Sequence, residues 1–70
     1  MDDEKSLGEA LPKEISRVRE VLKDYESVGP AGAFAVMMIK KDIADAERAI
    51  MEGDLVAMIR SYKTLQDTKS

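Results

Sequence analysis

The sequence predicts an all-α fold, a three-helix bundle, and three observations carry that expectation. Apolar residues recur at helical rather than alternating spacing in three separate stretches. Two compact breaks, Gly29-Pro30 and Gly53-Asp54, part those stretches. The composition, 44% apolar and 36% charged with only 4% aromatic, suits a folded helical domain and is too sparing in Val, Thr and aromatics for a sheet.

Taken in order, residues 1–10 are charged and carry Gly8, with Leu7 the one sizeable apolar side chain after Met1, so they read as a flexible arm. Leu11-Pro12 then reads as a helix entry, since Pro at the first helical position loses only an N–H that had no partner, and Glu14 suits the positive end of the dipole. The first helix is expected over about 12–28. Leu11, Ile15, Val18, Leu22 and Tyr25 recur at steps of 4, 3, 4 and 3 and share one stripe, widened by Val21. The remaining positions, among them Glu14, Arg17, Arg19, Glu20, Lys23 and Asp24, form a solvated face. Ser27-Val28-Gly29-Pro30 ends the helix, because Gly takes the left-handed capping conformation without strain and Pro cannot continue the ladder.

The second helix is expected over about 31–52, with a core stripe of Val36, Ile39, Ile43, Ala46 and Ile50. Phe34, Met37 and Met38 project to the opposite side of the cylinder, so its first two turns are apolar nearly all round. At the next break Gly53 closes one helix and Asp54 caps the following one. The third helix, about 54–66, places Leu55, Met58, Ile59, Tyr62 and Leu65 on one stripe. A single domain over 11–67 with a frayed tail at 68–70 follows.

These lengths have a consequence for surface chemistry. After a tight turn the third helix runs back along the second, but its length carries it only to about the level of Lys40. Phe34, Met37 and Met38, with Lys41 beside them, lie past its reach and constitute the candidate interaction surface, since an exposed apolar patch on a small domain marks a contact site. Three arrangements would cover it: the same patch of a second copy, the N-terminal arm folded back with Leu7 and Leu11, or helices splayed enough to bury it with the Met side chains filling gaps.

The rest of the sequence speaks against chemistry. With no Cys there is no disulfide or thiolate metal site, and with no His the commonest metal ligand and general base are both missing. The carboxylate pairs Asp42/Asp45 and Glu52/Asp54 have no cleft to shift their pKa values, and Asp42, Asp45 and Glu47 lack the spacing and central Gly of a calcium loop. Gly29-Pro-Ala-Gly32 lacks the spacing and Gly-Lys-Ser/Thr ending of a phosphate loop. A net charge of −3 and the lone basic pair Lys40-Lys41 offer nothing to nucleic acid or anionic lipid. No catalytic residue, cofactor, metal or small-molecule substrate is expected, and no membrane association. Acidic residues follow Met1 where a signal peptide would be basic, and no apolar run approaches a bilayer span, so a soluble cytoplasmic protein is expected.

Two resemblances accompany this reading. The run from Ala46 to Leu65, AERAIMEGDLVAMIRSYKTL, resembles one tetratricopeptide helix pair, with small and apolar residues flanking a Gly-Asp turn and a Tyr in the second helix. Such repeats need about three copies to bury a continuous core, so one copy implies hairpin grammar rather than a peptide-binding solenoid. Leu11-Pro-Lys-Glu-Ile15, Gly29-Pro-Ala-Gly-Ala-Phe34, Met38-Ile39 and Gly53-Asp-Leu-Val-Ala-Met-Ile59, followed by Tyr62 and Leu65, resemble a group of small bacterial proteins associated with prophages. That resemblance implies a phage or prophage accessory protein and brings no activity or site residues with it.

The sequence therefore points to a non-enzymatic protein-interaction module that forms a homodimer through the first half of its second helix. The alternative is a monomeric adaptor that offers the same surface to an amphipathic helix of another protein, with Met37 and Met38 as an adaptable contact. A small DNA-associated regulator is disfavoured by the absence of a basic recognition helix.

Overall fold

A computed structural model describes residues 3–68, with side chains from Leu7 onward. It is an all-α bundle: α1 (Asp3–Ser27), a 3-10 turn (Gly29–Gly32), α2 (Ala33–Glu52) and α3 (Leu55–Gln66). No strand occurs among the described residues, and each helix touches the other two. The core is built from one stripe per helix. Leu11, Ile15, Val18 and Val21 of α1 meet Ile39, Ile43 and Ala46 of α2 and Leu65 of α3, with Leu7, Leu22, Tyr25, Met58 and Tyr62 packed half-buried around them.

The first helix departs from expectation at its start. It begins at Asp3, so the described part of the expected arm is helical, and Pro12 lies inside the helix rather than at its entry. Residues 1 and 2 lie outside the described residues, as do 69 and 70 of the expected tail. Tertiary cover explains the extension. Leu7 sits one turn before Leu11 on the same stripe and packs against the core, so unwinding the first turns would strip an apolar contact from the bundle. Pro12 removes the bond to the carbonyl of Gly8, but both residues are exposed and water can take the missing place.

The α1–α2 connection holds two glycines for different reasons. Gly29 takes a positive φ of 72°, the left-handed conformation that stops α1. Gly32 is buried against α1, and a Cβ there would fall 2.5 Å from the Tyr25 carbonyl oxygen and 2.7 Å from a Val28 methyl. Pro30 lies in the 3-10 turn, and α2 starts at Ala33, within two residues of the expected start near 31. The α2–α3 connection is a Schellman closure: Gly53 (φ 66°) donates to the Ile50 carbonyl and Asp54 to that of Ala49, each at 3.1 Å. Asp54 then caps α3, its carboxylate accepting from the Ala57 N–H at 3.1 Å.

Helix order is up-down-up. Ion pairs join Arg19 to Glu47 and Glu26 to Lys40, so rising numbers on α1 meet falling numbers on α2. Asp42 and Asp45 of α2 line one recess with Thr64 and Ser61 of α3, which sets α3 antiparallel to α2 and parallel to α1. The last turn of α3 is tied to α1 where the Arg17 guanidinium donates to the Leu65 carbonyl at 2.7 Å. Toward its C-terminus α1 packs on α2 and on the 3-10 turn, where Gly32 meets Tyr25. The bundle thus has three helices at one end and two at the other, because the twelve residues of α3 span about 18 Å against about 30 Å for α2.

Four core assignments shift, two on α2 and two on α3. Ala49 is buried on α2 in place of Ile50, which is 38% exposed, and Val36 is only half-buried. The turn that leads into α3 bonds back to the Ala49 carbonyl, and Ala49 is buried on that side. On α3 only Leu65 is fully buried, Met58 and Tyr62 are half-buried, and Leu55 and Ile59 stand at the edge of the bundle.

Candidate functional site

The surface at the two-helix end is set by helical geometry. α3 ends at Gln66, and its Thr64 is level with Asp42 of α2, so no helix continues along α2 toward Gly32 on that side. α1 covers only the face of α2 that carries Ile39 and Ile43. Phe34 is left 74% exposed, Met37 68% and Met38 44%. Val28, at the α1–α2 connection, adds another exposed apolar side chain near this end. Transfer of such surface from water is the main favourable term in association, at roughly 25 cal/mol per Å².

Lys41 is exposed on the same helix, one turn past Met37, and its Nζ lies 3.0 Å from Asp45 Oδ2. Lys40 reaches Glu26 on α1 at 3.8 Å. Both pairs are exposed, so they cost little to rearrange when a partner arrives. The four expected surface residues, Phe34, Met37, Met38 and Lys41, are therefore together on the outer side of the first three turns of α2. The described part of the N-terminal segment does not fold over them: it is helical from Asp3, and Leu7 and Leu11 pack into the bundle core.

Sequence reasoning passed over the exposed apolar residues at the other end of α2. Met51 is 85% exposed, and Val56, Leu55 and Ile59 of α3 also present apolar surface there. The signal for Met51 lies in its spacing: it is fourteen residues, four helical turns, beyond Met37 and falls on the same outward side.

The recess between α2 and α3 is the other place where polar groups converge. It is lined by Asp42, Asp45, Arg60, Ser61 and Thr64. Burial, the largest influence, pushes the Asp42 carboxyl above its ordinary value; Lys41 opposes this and Asp45 adds to it. The Asp45 carboxylate is bonded to Lys41 and the Thr64 hydroxyl donates to the Arg60 carbonyl, so two of the five lining side chains are occupied by neighbours on their own helices. Among the described residues no cluster of three or more His, Cys, Asp or Glu side chains could hold a metal ion. No helix among them is long and apolar enough to cross a membrane.

Comparison with protein-family models, with characterised proteins and with solved structures gave no match.

Proposed function

We propose that this chain is a non-enzymatic, cytoplasmic protein-interaction module that self-associates through the N-terminal half of α2. The observation that carries the reading is the exposure of Phe34, Met37 and Met38 on a helix whose opposite face is core. A bundle of this size gains little from its own core, about 3–5 kcal/mol, and with no Cys and no metal-binding cluster among the described residues, oligomerisation is the remaining way to add burial. A second copy supplies the same patch, and a two-fold interface is self-complementary by construction. The resemblance to prophage-associated proteins supports an accessory role in a phage or its host, with no substrate or cofactor.

Sedimentation equilibrium on the wild type and on Phe34→Asp tests the proposal. The expected result is a dimer that the substitution converts to a folded monomer. A wild type that is monomeric throughout overturns self-association and leaves the adaptor, in which the same face receives an amphipathic helix of another protein.

A further inference from the structure

We infer that two copies pair back to back through the whole length of α2, antiparallel, with Phe34 of each copy against Met51 of the other. This rests on the self-association proposed above and adds its orientation and its second half. Outward residues of α2 recur as Phe34, Met37, Lys41, Ala44, Arg48 and Met51, at steps of 3, 4, 3, 4 and 3, and every one of them is exposed. That is the spacing of a coiled-coil seam, here on the side of α2 opposite its buried Ile39 and Ile43. The seam has apolar ends and a cationic middle.

Charge decides the orientation. A parallel, in-register pair would set Lys41 against Lys41 and Arg48 against Arg48 across the seam, four cations in two layers. The antiparallel pair sets Lys41 opposite Ala44 and Arg48 opposite Met37, so each cation meets a small or flexible side chain and its long stem can lead the charge out to water. The same register places Phe34 opposite Met51, a sulfur–aromatic contact, twice by symmetry. On one flank Lys40 of each copy comes beside Glu47 of the other, an opposite-charge pair that recurs across the two-fold axis. Among the described residues Lys40 and Glu47 form exposed pairs with Glu26 and Arg19, which cost little to exchange. A single helix face is narrower than the roughly 800 Å² each partner gives to a standard interface, so the dimer is expected to dissociate on dilution.

The chain has no Cys, so disulfide trapping reads the orientation directly. Met37→Cys and Arg48→Cys variants are mixed and oxidised mildly, while sedimentation equilibrium is run on the wild type. The antiparallel pair predicts a disulfide between the two variants, and none within either variant alone. In that register two copies of the same substitution lie about 16 Å apart along the axis, too far for a bond that needs Cα atoms within about 7 Å. A dimeric wild type with disulfides only between identical variants overturns the antiparallel pairing and leaves self-association standing. A dimeric wild type with no disulfide in any mixture places the interface on another face and overturns the inference. A wild type that stays monomeric overturns both the inference and the proposal beneath it.

Discussion

Gly32 lets the 3-10 turn approach the last turn of α1 closely. With a Cβ only 2.5 Å from the Tyr25 carbonyl, Gly32→Ala must push α1 and α2 apart, and a loss of about 1–3 kcal/mol in urea unfolding is expected. Gly29→Ala is strained for a different reason, its positive φ, with open space around it. The carboxylates act in opposite directions with pH. The Arg17 side chain, bonded to Glu14 at 2.8 and 3.1 Å, holds the Glu14 carboxyl below its ordinary value. Its folded pKa is thus lower than its unfolded one, and the stability it contributes is present above the unfolded value and lost as pH falls through the folded one. For Asp42 burial raises the folded pKa, so the ionised form costs stability at neutral pH and protonation relieves that cost as pH falls through the raised value. Glu14→Gln should flatten the acid limb of the stability curve, and Asp42→Asn should raise the unfolding midpoint at neutral pH. Denaturant titrations across the acid range check both signs.

At the scale of the helix, Pro12 gives a sharp test of where α1 begins. Inside an exposed helix Pro costs about 3 kcal/mol relative to Ala, whereas at a first helical position it costs almost nothing. Pro12→Ala is therefore expected to stabilise the protein by about 2–3 kcal/mol, and an unchanged urea midpoint would place the helix start at Pro12. The contrast shows what could be read in advance and what could not. The breaks at Gly29 and Gly53-Asp54 were legible because left-handed glycines and an Asp cap are local chemistry, and the structure holds both glycines at positive φ. The stripe of Leu11, Ile15 and Val18 was legible because its spacing is long and regular. The start of α1 was not, since Pro12 speaks only for its own position while Leu7 is held by packing against other helices. Nor was the exchange of Ile50 for Ala49, which depends on the side from which α3 approaches. The exposed Phe34, Met37 and Met38 were legible from the unequal helix lengths, and Met51 was not, because on its side of α2 it stands among Arg48 and Glu52 with no apolar patch to mark it.

For the molecule as a whole the governing feature is unequal length. α3 stops near the level of Arg17 and Asp42, so the bundle carries three helices at one end and two at the other. The core stripes face inward, yet large apolar side chains remain along the outside of α2 at both of its ends. In a chain this small an exposed apolar surface marks a contact site, and it is the ground on which self-association is proposed. Phe34 is the chain's only Phe, which makes its ring protons an unambiguous probe. The most direct measurement is an isotope-filtered NOE experiment on an equal mixture of labelled and unlabelled protein, at concentrations where sedimentation is also recorded. The account predicts NOEs from the Phe34 ring of one copy to methionine methyls of another. A dimer whose Phe34 ring shows only intrachain NOEs, or a chain that stays monomeric, would contradict it.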